Sequence, residues 1–120
     1  MILVDTSVWI SHLRDGNARL ENMLLEGLVS SHPFIIGELA CGNLKNREAV
    51  ISLIKELPQA NTVDDEEILL YIEKKSIAGK GIGLIDAHLL ASAELSDFYL
   101  WTYDKRLKQI AEEIYLDYKP

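Results

Sequence analysis

The chain has 120 residues, of which 48 % are hydrophobic and 26 % are charged, and its formal charge is −7 at pH 7. This size and balance predict one globular domain spanning residues 1–120 and exclude a disordered chain. A lone cysteine, Cys41, excludes an internal disulfide, and the N-terminus shows no leader or long apolar span. We therefore expect a cytoplasmic protein that does not enter a membrane. The acidic charge argues against a nucleic-acid partner unless bound metal ions offset it.

The first half of the chain predicts two short strands, each followed by helices. The apolar run 2–4 predicts a buried strand that ends at Asp5, after which Thr6 or Ser7 can cap a helix. The further predicted elements are a helix over 18–26, a strand over 28–30, a helix from Pro33 to Gly42 and a helix over 46–57.

The second half continues the alternation of helices and strands. After an extended piece at 61–63, the acidic run 64–67 opens a helix with a possible capping box, and that helix fades near Ala78. Three glycines then form a joint before a helix over 84–95. The last predicted elements are a buried strand over 98–102, a helix that starts near Asp104 and a possible strand at 114–116. This order predicts an α/β fold, a three-layer α/β/α sandwich around a central, mainly parallel sheet.

Two aspartates follow predicted strands. Asp5 comes directly after the first strand, and Asp104 follows the strand over 98–102. Ligands of an open α/β sheet bind at the carboxyl ends of its strands, so both side chains are expected at the same edge. Each one taken alone is explained equally well as a turn or helix-capping residue.

Two further acids lie within predicted helices, each among apolar neighbours at helical spacing. Phe34 lies four residues before Glu38 and Cys41 three residues after it, so a helix places all three on one side. Leu90 lies four residues after Asp86 and shares a side with it in the same way. Both are therefore expected to point inward. A buried carboxylate is costly unless it is neutralised, paired or bound to metal, and neither helix offers a basic partner on the same stripe. Four oxygen ligands without cysteine suit a hard cation such as Mg²⁺ or Mn²⁺ better than zinc.

At these positions the sequence resembles the PIN-domain nucleases and, among them, the VapC-type toxins of toxin–antitoxin systems. The resemblance covers nearly the whole chain and rests on four segments in fixed order: LVDTS (3–7), IGELACG (36–42), GLIDAHLLA (83–91) and LWTYDKRL (100–107). The last residue of the final segment is often aromatic in the family, whereas this chain has Leu107. That difference is expected to affect packing only.

The resemblance implies a metal-dependent endoribonuclease that hydrolyses RNA phosphodiester bonds. It assigns the catalytic and metal-binding positions to Asp5, Glu38, Asp86 and Asp104, with supporting hydroxyls at Thr6, Ser7 and Thr102. The cofactor implied is Mg²⁺, with Mn²⁺ as an alternative. The implied partners are an RNA substrate, a cognate antitoxin protein and a second copy of the chain in a homodimer.

Three alternatives stay open at this point. A PIN nuclease that processes RNA without being a toxin would have the same chemistry, and a silent PIN-like scaffold would keep only the fold. A receiver-type phosphoacceptor domain has a similar size and one Mg²⁺ site, but it needs paired acids after its first strand, where this chain has Asp5 alone.

Other polar features are interpreted as structural. The segment GKGIG (79–83) lacks the full phosphate-loop pattern and is better explained as a hinge. His12, His32 and His88 are interpreted as ordinary surface or core residues. Four cations near the motifs are explained equally well by RNA binding and by simple solvation: Lys45, Arg47, Lys105 and Arg106.

Overall fold

The computed structural model describes residues 1–119 and contains a three-stranded, wholly parallel sheet. Strand β1 (Ile2–Val4) lies in the centre, between β2 (Val29–Ser30) and β3 (Tyr99–Trp101). In register, Leu3 lies opposite Ser30 on one side and Leu100 on the other. All three residues of β1 are buried although successive side chains point to opposite faces, so both faces of the sheet are covered.

Seven α-helices surround this sheet within residues 1–119. They are α1 (Thr6–Asp15), α2 (Ala18–Leu25), α3 (Pro33–Ala40), α4 (Arg47–Glu56), α5 (Asp65–Lys74), α6 (Leu84–Ser96) and α7 (Lys105–Glu113). The parallel sheet and its alternation with helices confirm the predicted α/β architecture. None of these helices is both long enough and apolar enough to cross a membrane.

Short pairings continue the sheet beyond its outer strands. Leu100 of β3 forms a parallel bridge with Asp117, whose carboxylate binds Lys108 Nζ at 3.0 Å. On the other side, Ser31 forms a parallel bridge with Gln59. Main-chain groups at both edges of the sheet therefore have partners, from the segment after α4 on one side and from the segment after α7 on the other.

The predicted helix starts are largely confirmed, with one correction at α1. Asp64 forms a complete capping box with Glu67, as predicted for α5. At α1, however, the predicted cap at Thr6 or Ser7 is wrong, because the helix already includes both residues and Asp5 occupies the N-cap position. The side chain of Asp5 makes no capping bond, so it remains available for other contacts.

Several predicted ends are wrong because sequence periodicity continued past the last helical residue. The helix that begins at Pro33 ends at Ala40 and not at Gly42, and α5 ends at Lys74 well before Ala78. The segment 61–63, predicted as an extended piece, joins α4 to α5 outside regular structure, and the strand predicted at 114–116 does not form. Tyr115 adopts a left-handed conformation with φ of 62°, which breaks the extended backbone that a strand needs.

Candidate functional site

Asp5 lies at the carboxyl end of the central strand. Its main-chain N–H donates to the Trp101 carbonyl at 2.9 Å, which continues the pairing of β1 with β3. Only 6 % of Asp5 is exposed, so its carboxylate needs polar partners within the protein. The parallel sheet thus brings Asp5 beside the residues that follow β3.

Two hydroxyl groups hold the Asp5 carboxylate. Ser7 Oγ and Thr102 Oγ1 each donate to Asp5 Oδ2 at 2.7 Å. These hydroxyls in turn accept main-chain N–H groups, Ser7 from Tyr103 and Thr102 from Asp104, each at 3.0 Å. Because both hydroxyl groups donate to Oδ2, they fix the orientation of the carboxylate, and no donor within residues 1–119 binds Oδ1.

Glu38 is an exposed residue, and the predicted inward orientation is wrong. On α3, Ile35 and Leu39 are buried and face the core, whereas Phe34 and Cys41 lie with Glu38 on the exposed side. The Glu38 carboxylate nevertheless contacts the site, because Thr6 Oγ1 donates to its Oε1 at 2.9 Å. The hydroxyl of Thr6 therefore connects α1 to α3 directly beside Asp5.

Asp86 is half-buried in the first turn of α6. Burial, with a further contribution from the nearby charges of Asp5, Asp104 and Glu38, raises the pKa of Asp86 to about 6. A main-chain hydrogen bond at Gly83 opposes this rise. The charges of the other three acids therefore act on Asp86, which places Asp86 on the same side of the molecule as Asp5, Asp104 and Glu38.

Asp104 is exposed and caps the last helix. Its Oδ1 accepts the N–H of Leu107 at 2.9 Å, at the start of α7. Leu107 itself is completely buried. The bond to Leu107 occupies Oδ1, so Oδ2 is the oxygen of Asp104 that remains for a ligand.

The acids at this site have no cationic partner in the part of the chain that the structure describes. Every ion pair within residues 1–119 involves other carboxylates. The same residues contain no set of three or more metal-binding side chains close enough to hold an ion by themselves. The acids thus form an open, unneutralised group of oxygen ligands, which suits a hard cation that keeps several water ligands.

Arg106, one of the four cations noted near the motifs, contacts the glycine-rich segment that precedes α6. Its guanidinium packs across Gly81, where an added Cβ would stand 2.6 Å from Nη1 and where φ is +84°. The predicted hinge 79–83 is therefore held against α7, and Lys80 adds an ion pair with Glu113 at 2.8 Å. The glycine at position 81 was the available signal, since close approach of another group often requires glycine.

The sequence is similar to that of a known protein family and to those of individual ribonucleases. The PIN domain family model matches residues 2–113. Ribonuclease VapC32 of Mycobacterium tuberculosis, strains CDC 1551 / Oshkosh and ATCC 25618 / H37Rv, is 45 % identical over 94 % of this chain and 92 % of its own length.

Among solved structures, FitAB bound to an IR36 DNA fragment contains a similar chain, with a TM-score of 0.62 and 21 % identity. That similarity covers 93 % of this chain and 91 % of the other. FitAcB from Neisseria gonorrhoeae gives a TM-score of 0.61 at 21 % identity, covering 93 % and 94 % of the two chains. At this level of identity, the structural similarity shows a shared fold.

The raised pKa of Asp86 predicts a pH-dependent gain in stability for Asp86→Asn. Ionisation of Asp86 destabilises the folded state, and this cost is complete above about pH 6 and is lost progressively as the pH falls from about 6 to the ordinary pKa of 3.8. We expect the variant to gain about 1–2 kcal/mol in free energy of unfolding at pH 7.5, because solvent screens this half-buried group.

Urea unfolding of both proteins between pH 4 and pH 8 without metal measures this difference. The gain should shrink towards zero near pH 4, and Glu73→Gln, which removes an exposed acid elsewhere, should show no such trend. A gain that is equal at pH 4 and pH 7.5 would contradict the charge repulsion at Asp86.

Proposed function

Because the chain belongs to the PIN-domain family, we propose that it is a Mg²⁺-dependent endoribonuclease. In this proposal residues 1–120 form one domain. Its metal-binding and catalytic residues are Asp5, Glu38, Asp86 and Asp104. The observation that carries the proposal is the meeting of these four acids without a cationic partner in residues 1–119. The name of its relative, ribonuclease VapC32, supports RNA as the substrate. Membership of the PIN family excludes the alternative of a receiver-type phosphoacceptor domain.

The contacts give each residue a role. Asp5 presents Oδ1 to the metal while Ser7 and Thr102 hold its other oxygen. Asp86 supplies a second direct ligand, and its raised pKa predicts weaker metal binding below pH 6, where the proton competes. Glu38 and Asp104 lie on the exposed side and are suited to bind water ligands of the ion. A bound Mg²⁺ or Mn²⁺ supplies an activated water and stabilises charge on the phosphoryl oxygens.

Cleavage of a mixed RNA pool tests the proposal directly. Asp5→Asn should reduce Mg²⁺-dependent or Mn²⁺-dependent cutting to the level seen with EDTA, because it removes the charge that binds the metal. The fold should persist, since the amide oxygen still accepts hydrogen bonds from Ser7 and Thr102. Glu73→Gln, on the exposed surface of α5, is the matched control and should cut like wild type.

Cutting by Asp5→Asn at the wild-type rate would place the active site elsewhere. Failure of the wild type to cut any RNA with either metal would favour the silent scaffold.

We further propose that Arg106 binds an RNA phosphate beside the metal. Its side chain is exposed, and it makes no ion pair with a carboxylate of residues 1–119. It follows Asp104 by two residues and packs on the segment that leads into Asp86. A guanidinium in this position can donate hydrogen bonds to an anionic phosphate group of the RNA backbone.

Arg106→Gln should raise the KM for RNA about tenfold, change kcat much less and reduce the salt dependence of binding by about one charge. Initial rates at several RNA and salt concentrations measure all three. Arg14→Gln is the matched control, because Arg14 already pairs with Asp15 at 2.9 Å. An unchanged KM in Arg106→Gln would remove Arg106 from the substrate site.

The proposed homodimer has a suitable surface along α5. Glu66, Leu70 and Lys74 are exposed and follow one another at intervals of four residues, so they lie on one side of the helix. Leu70 is 67 % exposed and lies midway between the acid and the base. If two copies pack α5 antiparallel across a two-fold axis at Leu70, each Glu66 meets the other copy's Lys74.

Sedimentation analysis of charge-swapped variants tests this dimer. Lys74→Glu should weaken dimerisation about tenfold, because symmetry places two like-charge pairs in the interface. The double variant Glu66→Lys with Lys74→Glu restores opposite charges and should recover the dimer. A monomeric wild type, or equal dimerisation of all three proteins, would contradict this interface.

We also propose that a cognate antitoxin protein restrains the nuclease, as in the VapC-type toxins that the sequence resembles. A processing nuclease would have the same active site, so cleavage alone does not separate the two roles. Inhibition of purified enzyme by the product of an adjacent small gene would support the toxin role. Full activity in its presence would favour RNA processing.

A further inference from the structure

His32 is a buried histidine with a hydrogen-bond partner for each ring nitrogen. Only 1 % of the residue is exposed. Its Nδ1 accepts the main-chain N–H of Phe34 at 3.0 Å and thereby caps the start of α3. Since Nδ1 accepts, the ring proton is on Nε2, which lies 3.0 Å from Ser92 Oγ and donates to it.

This pair of bonds connects the two helices that carry Glu38 and Asp86. His32 precedes Glu38 by six residues at the start of α3, and Ser92 follows Asp86 by six residues within α6. Ser92 is completely buried, so the connection is protected from water.

Aromatic packing strengthens the same contact between α3 and α6. The Phe34 ring of α3 lies 5.2 Å from His32 and 4.8 Å from His88 of α6, measured between ring centroids. The Phe34–His88 pair is edge-to-face, an arrangement that aromatic rings favour. The two helices thus meet through a specific polar bond and a ring contact.

We propose that His32 is a positioning residue that fixes α3 against α6 through Ser92 and so sets the separation of Glu38 from Asp86. The consequence for metal binding rests on the function proposed above, whereas the placement of the helices does not. The His32–Ser92 bond lies six residues from each carboxylate along the chain, so a change in how the two helices pack would move Glu38 relative to Asp86.

Only the neutral form of His32 can make both bonds at the same time. A protonated ring carries hydrogen on Nδ1 and cannot accept from Phe34. Burial lowers the pKa of His32 to about 4, and the nearby His88 contributes to the same direction. The ring is therefore neutral across the physiological pH range, and its two roles are compatible.

Three substitutions distinguish the two roles of His32, the cap of α3 and the connection of α3 to α6, because each removes one bond and keeps the other. His32→Asn keeps an acceptor near the position of Nδ1 but is too short to reach Ser92. His32→Gln places an amide donor near the position of Nε2 and keeps the bond to Ser92. Ser92→Ala removes the acceptor and leaves the cap of α3 intact.

The first measurement is the affinity for Mn²⁺, determined in a titration from the electron paramagnetic resonance signal of the free ion. His32→Asn and Ser92→Ala should weaken Mn²⁺ binding about tenfold, the low end of losses seen when indirect ligand contacts are removed. His32→Gln should stay close to wild type. Unfolding midpoints, which a purely structural role would also lower, are measured in parallel to show that all variants are folded.

The second measurement reports helix placement without metal. Cys41 is exposed at the end of α3 and accepts one spin label, and Leu95→Cys on the exposed side of α6 accepts the other. Excess unlabelled protein ensures that each dimer contains one labelled chain. The distance distribution between labels should shift or broaden in His32→Asn and Ser92→Ala and stay narrow in His32→Gln.

The two measurements distinguish the possible failures. Unchanged distance distributions in His32→Asn and Ser92→Ala would overturn the positioning role, and so would an equal loss of Mn²⁺ affinity in His32→Gln. A shifted distribution in a protein whose wild type binds no Mn²⁺ would support the positioning role and reject the proposed metal chemistry.

Discussion

Repulsion among carboxylates is the force that the rest of this structure has to resist. Asp86 senses the charges of three other acids, and residues 1–119 provide no ion pair to any of them. Such a group is costly in the folded protein and becomes favourable when a cation enters. The repulsion thus lowers the free energy of unfolding in the absence of a cation, and a bound cation would raise it again. Such a local loss of stability is typical of functional sites.

The fold resists this repulsion through neutral groups instead of charged ones. Hydroxyl groups of Ser7 and Thr102 hold Asp5, and the hydroxyl of Thr6 holds Glu38. Asp86 and Asp104 stand at the starts of α6 and α7, where exposed main-chain N–H groups favour negative charge. Neutral donors orient the acids without cancelling their charge, so the attraction for a cation is preserved.

Sequence reasoning found the strand-end acids more reliably than the orientation of the helical ones. Asp5 and Asp104 could be placed because a buried strand must end at the sheet edge. Glu38 was assigned to the wrong side because α3 has apolar residues on both of its sides, and spacing alone does not show which side faces the core. The connection between His32 and Ser92 spans 60 residues, and no local pattern predicts such a contact.

The pairings at the sheet edges have a consequence for how the protein tolerates fusion to other chains. Asp117 bridges Leu100 and binds Lys108, so the last residues of the described chain cover the outer side of β3. An extension that pulled this segment away would leave a strand edge open to pairing with other molecules, a common route to aggregation. It would also remove the carboxylate that pairs with Lys108. Affinity tags and reporter domains therefore belong on a linker long enough to leave Asp117 in place.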